Sequence, residues 1–155
     1  MQKWAIFTAA MAMAAPVPVF AENFGEEYLA STKLGRDLTT RGKSSVSMVT
    51  INECKLSYVL QAMGTCEASG DLKSESADIN LRSVGKLSAQ VDGETTEFIL
   101  SGRPDISSLT SETITLCGGN VHRRSSLSEA TFTIPELVGQ TVFDELDDYI
   151  KTYCE

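Results

Sequence analysis

Tryptophan and histidine each occur once in this 155-residue chain, as Trp4 and His122. A single indole cannot build a carbohydrate-stacking face of Trp platforms, and one imidazole rules out any metal site that needs two. Basic residues are also scarce, with 13 Lys and Arg against 21 Asp and Glu and a net charge of −8. An acidic surface repels phosphate backbones and anionic lipid, so neither nucleic acid nor a membrane surface is an expected partner. Beyond residue 21 no apolar run reaches the length of a membrane span. None of Asn23, Asn52, Asn80 or Asn120 opens an Asn-x-Ser/Thr acceptor. Nucleophile-elbow, phosphate-loop, His-Glu-x-x-His and dinucleotide-binding patterns are missing as well, and no cofactor is expected.

What is there begins with residues 1–21. Lys3 supplies a positive n-region, an apolar run extends from Trp4 to Ala15, and Pro16-Val17-Pro18 ends any helix. Val19-Phe20-Ala21 offers small or tolerated residues at −3 and −1, the pattern of a cleaved secretory signal peptide. The expected mature domain, residues 22–155, loses Lys3 and no acid, so 12 cations face 21 acids for a net charge of −9. At 134 residues it has room for one domain with a real core. The short Ala- and Met-rich leader points to a bacterial periplasmic or secreted protein. In such a compartment the four cysteines read as disulfide partners.

Hydrophobic periodicity then gives the order of elements. Asn23-Phe24-Gly25-Glu26 has the capping-box form and opens a predicted helix over 25–38, with Phe24, Tyr28, Leu34 and Leu38 on one side. From residue 45 the period is two. Val46, Met48 and Thr50 are expected on one face of a first strand, with a tight turn at Asn52-Glu53. Cys54, Leu56, Tyr58 and Leu60 form the apolar face of the returning strand. Ala77, Ile79 and Leu81 mark a third, while Leu87, Ala89 and Val91 are joined through Asp92-Gly93 to Thr96, Phe98 and Leu100. Short strands are expected at 113–117 and 130–134, separated by a polar, basic loop over 121–128. Thr133-x-x-Glu136 with Pro135 predicts the start of a C-terminal amphipathic helix whose stripe is Leu137, Val138, Val142, Leu146, Tyr149, Ile150, Tyr153 and Cys154.

The expected fold is α+β. It is a strongly bent antiparallel sheet or open barrel of six to seven strands, with a short N-terminal helix and a C-terminal helix packed on the core face. The order of elements is similar in outline to pleckstrin-homology-like folds, which close a barrel with a terminal helix.

Four cysteines allow three pairings. If residues 54–63 form one extended strand, Cys54 lies roughly 30 Å from its far end and cannot reach Cys66. Cys54 and Cys154 both fall on core-facing stripes, so the expected pairs are Cys54–Cys154 and Cys66–Cys117.

Two clusters are candidate sites. His122-Arg123-Arg124 is the one basic concentration, a candidate contact loop for an anion or a base for Ser125 or Ser126; a solvated loop explains it more simply. Asp144, Glu145, Asp147 and Asp148 form a candidate acidic docking face for a cationic partner, against the ordinary reading of a wet helix face. The functional expectation is a non-enzymatic periplasmic or secreted protein-interaction domain, an inhibitor or accessory factor for a basic partner. The alternatives are a carrier of a small apolar ligand or lipid between sheet and C-terminal helix, and a hydrolase using His122.

Overall fold

A computed structural model describes residues 19–64, 73–103, 111–115, 117, 120–124 and 128–155. The layout is α+β. Helix α1 spans Val19–Leu38, and strands β1 (Ser45–Asn52), β2 (Lys55–Ala62) and β3 (Lys73–Asn80) follow. A 3₁₀ turn (Leu81–Ser83) leads into β4 (Val84–Asp92) and β5 (Thr95–Gly102), then β6 (Ser111–Thr115), β7 (Asn120–Arg124) and β8 (Glu129–Ile134). Helix α2 (Gln140–Tyr149) ends in a π turn, Ile150–Cys154.

Among the described residues eight strands make two antiparallel sheets, where one bent sheet or open barrel of six to seven strands is expected. One has the order β1-β2-β3-β6-β7 and the other β4-β5-β8. The division falls at the 3₁₀ turn, where the Asn80 side chain accepts from the Arg82 N–H (3.1 Å) and donates to Ser83 Oγ (3.1 Å). Those bonds serve the turn's own polar groups, so the chain leaves the first sheet without a glycine or proline to announce it.

The core lies between the two sheets and against both helices. Leu56, Tyr58 and Ile79 of the first sheet meet Phe98, Phe132 and Ile134 of the second, and Leu34, Leu38, Leu146 and Ile150 close it from the helices. Phe98 and Phe132 stack with centroids 4.8 Å apart, and Tyr58 tilts onto Phe132 at 5.6 Å. Each such buried side chain contributes about 1.5–3 kcal/mol through removal from water.

Several expectations are corrected. Helix α1 starts at Val19 rather than near residue 25; no helix breaker lies between Pro18 and Gly25, so the turn that Asn23 was expected to cap is already helical. Tyr28 is 62% exposed rather than on the core side. In β1 the face is reversed: Ser47, Val49 and Ile51 are buried while Met48 is 44% exposed. Ser47 goes inside because its Oγ donates to the Leu38 carbonyl (3.0 Å) and accepts from the Thr40 N–H (3.1 Å), closing off the end of α1. The tight turn is Glu53-Cys54, with both residues at positive φ, 48° and 61°.

Helix α2 starts at Gln140 because residues 133–138 are engaged elsewhere. Thr133 pairs with Glu97 in the β5–β8 ladder, and Thr96 Oγ1 donates to the Glu136 carbonyl while accepting from the Val138 N–H, both at 3.0 Å. The basic loop expected over 121–128 is a strand in its first part, since Asn120–Arg124 pairs with β6 at the end of the first sheet. Edge strands are where polar and basic sequences are tolerated.

Candidate functional site

Helices α1 and α2 lie side by side, and the seam between them opens into a groove of about 250 Å³. Its apolar wall comes from Ala30 and Leu34 of α1 and from Tyr149 and Tyr153 at the C-terminal end. The two tyrosines sit one helical turn apart with ring centroids at 5.3 Å. Glu145, Asp148 and Lys33 supply the polar rim.

Ion pairs fix this rim. Lys33 on α1 bonds Asp37 (2.9 Å) one turn along and reaches across to Glu145 on α2. The hydrogen bond to Asp37, then that to Glu145, raises the Lys33 pKa, and the same lysine holds the Asp37 carboxyl below its ordinary range. The Tyr149 hydroxyl donates to Glu27 Oε1 (3.2 Å). Burial, then the nearby Glu27 charge, pushes that phenol up to about 12.

The four residues of the expected acidic face are thus not equivalent. Asp144 accepts from Gln140 Nε2 (2.7 Å), Asp147 pairs with Lys151 and raises its pKa, and Glu145 is tied to Lys33. Asp148 lies on the groove. Helical spacing explains the division: residues 144 and 148 are one turn apart and exposed, whereas 145 and 147 are half-buried.

The structure does not bring the two expected sites together, and of the two expected disulfides it shows Cys54–Cys154. His122, Arg123 and Arg124 lie on β7 opposite Thr113, Glu112 and Ser111; their side chains are outside the described part. Cys54 is joined to Cys154 with a Cα–Cα distance of 5.6 Å, linking the β1–β2 turn to the end of the C-terminal helix and so bracing the groove. Cys117 is also disulfide-bonded, while Cys66 lies outside the described residues.

A second concavity, of about 370 Å³, lies at the margin between the second sheet and α2. Leu87, Ala89 and Val91 of β4 form one side of it, with Phe98, Val138 and Phe143 behind. Among the described residues no group of three or more His, Cys, Asp or Glu is placed to hold a metal ion. No described helix is long and apolar enough to cross a membrane.

Sequence reasoning missed the α1–α2 groove, and it gave a cavity between sheet and C-terminal helix only as the alternative reading. Tyr149 and Tyr153 read as core because their spacing matches the helix stripe, and only Tyr149 is fully buried. A tyrosine is a signal for such a position, since its ring seeks cover while its hydroxyl seeks a partner or water. Comparison with protein-family models, curated proteins and solved structures finds no match.

Proposed function

We propose that this chain is an exported, non-enzymatic protein-interaction domain that takes a basic segment of another protein along the α1–α2 groove. The carrying observation is the juxtaposition of an apolar floor, Leu34, Tyr149 and Tyr153, with the carboxylate of Asp148 at its rim. A Lys or Arg side chain satisfies both parts, laying its methylene stem on the tyrosines and its charge beside the acid. The net charge of −9 expected after removal of residues 1–21 steers such a partner in. The proposed cleavage after Ala21 leaves the groove residues intact, and the Cys54–Cys154 bond suits a periplasmic or extracellular setting.

The test is capture from the extracytoplasmic fraction at about 50 mM and about 500 mM salt, comparing the wild type with the variant Asp144→Lys/Asp148→Lys. A specific partner should be held at low salt, released at high salt and lost by the charge reversal. A partner retained equally by wild type and variant, or no partner at low salt, defeats the proposal.

The alternative, a carrier for a small apolar ligand, is favoured by the cleft beside β4, which lies between sheet and C-terminal helix where the sequence placed such a cavity. Titration with a fluorescent fatty acid separates the two readings. Saturable binding that is lost in Ala89→Asp, on the cleft wall, supports the carrier; no binding removes it.

A further inference from the structure

Strand β4 ends the second sheet, and its outer edge has no hydrogen-bond partner among the described residues. The direction of its backbone groups follows from the hairpin. Asp92 pairs with Thr95 across the two-residue turn Gly93-Glu94, so Asp92, Gln90 and Ser88 turn their N–H and C=O toward β5. Leu87, Ala89 and Val91 therefore turn theirs outward. The opposite edge of this sheet is handled differently: at Thr133 of β8 both outward groups are taken by the Tyr58 hydroxyl.

The β4 edge is complementary to itself. A register irregularity between Val84 and Lys86 limits the regular strand to Lys86–Asp92, whose midpoint is Ala89. Placing a second β4 antiparallel about a two-fold axis at Ala89 sets Lys86 opposite Asp92, Leu87 opposite Val91 and Ser88 opposite Gln90, each pair occurring twice. Opposite charges and apolar pairs directly across a ladder stabilise it, and all three outward-turned residues meet outward-turned residues. Shifting the axis to Ser88 sets Lys86 against Gln90 and Asp92 against Val84 at the bulge, losing both charge pairs. In the Ala89 register Gly85 also faces Gly93, so the hairpin turn of each copy passes the other where neither has a side chain.

Exposure agrees with this. Val91 is 65% exposed, on the wall of the apolar cleft. Among the described residues neither the Lys86 ammonium nor the Asp92 carboxylate has an ion-pair partner. We infer that the protein forms a two-fold dimer through antiparallel β4–β4 pairing, with one continuous six-stranded sheet across the two copies. This surface is separate from the α1–α2 groove, so either proposal can fail alone.

The test uses protein purified after expression of the full chain, followed by sedimentation equilibrium from about 1 to 200 µM at low salt, with circular dichroism to verify folding. The expected result is a concentration-dependent dimer. Lys86→Asp alone and Asp92→Lys alone should each weaken it by at least about tenfold, because each puts two like-charge pairs across the axis. Lys86→Asp/Asp92→Lys should restore it. A monomer throughout that range, a dimer indifferent to both single changes, or a double variant that stays as weak as the singles overturns the inference. Val91→Lys, on the other face of the strand, supplies an independent check: a folded variant that dimerises like the wild type also overturns it.

Discussion

Replacing Tyr58 by Phe removes one oxygen atom and tests how the two sheets are joined. Tyr58 is 2% exposed, and its hydroxyl donates to the Thr133 carbonyl at 2.6 Å while accepting from the Thr133 N–H at 3.2 Å. Thr133 stands opposite Glu97 of β5 with its N–H and C=O turned to the outer edge of β8, so one side chain from the first sheet satisfies both of them. Phe keeps the ring on Phe132 and loses both bonds. Each is worth about 1 kcal/mol, and partly buried main-chain groups left unpaired add to the cost, giving about 2–3 kcal/mol in all. For a domain of this size the melting temperature should fall by roughly 6–15 °C. Proton linkage gives a second readout. Burial is the largest cause raising the Tyr58 pKa, with a smaller contribution from the Glu75 charge, while the Thr133 bonds oppose the rise. A raised folded pKa means stability that is complete below the unfolded value of 10.0 and is lost as pH climbs toward the folded value. The wild-type advantage over Tyr58→Phe should therefore shrink above about pH 10. Urea titrations at pH 7 and at several values from 9.5 to 11.5 measure both effects. A loss below about 1 kcal/mol at pH 7, or a gap that does not change with pH, would refute the reasoning.

Three other substitutions probe separate parts of the fold. Ser47→Ala leaves the Leu38 carbonyl and the Thr40 N–H without their partner and should cost about 1–3 kcal/mol by chemical denaturation; a neutral result would mean that water or a backbone shift replaces the hydroxyl. Glu53→Asn should stabilise by about 0.5–1 kcal/mol, because Glu53 occupies the left-handed region at the first position of a two-residue hairpin turn, where Asn is preferred. A lower midpoint in that variant would contradict the turn geometry. Cys54→Ala/Cys154→Ala opens a crosslink between residues 100 apart and should cost about 4–5 kcal/mol in the chain-entropy description. Wild-type protein reduced with dithiothreitol should be destabilised at least as much as that variant, because reduction also opens the disulfide of Cys117.

Much of the fold was legible because period-two and helical patterns report which side of an element is apolar. Leu56 and Tyr58, Ala77 and Ile79, Phe98 and Leu100, and Leu146 and Ile150 all lie inside as their spacing indicates. The candidate groove was half legible: the acidic residues of α2 stood out, but which of them Lys33 and Lys151 occupy depends on tertiary packing. Three places where the pattern falls short share one cause. Ser47, Tyr58 and Thr96 each use a hydroxyl on main-chain groups that secondary structure leaves unpaired: the end of α1, the outer edge of β8 and the link from β8 to α2. A hydrophobicity pattern scores Ser47 as outward, and so reverses the face of β1. It finds Tyr58 and Thr96 on the right face but cannot say what their oxygens hold, and so it starts α2 too early. Buried polar groups are paired because leaving them unpaired costs more than the pairing gains. The β4 edge, where outward main-chain groups flank an exposed valine and no described side chain reaches them, is by the same argument a place among the described residues where those groups turn to water or to a second chain.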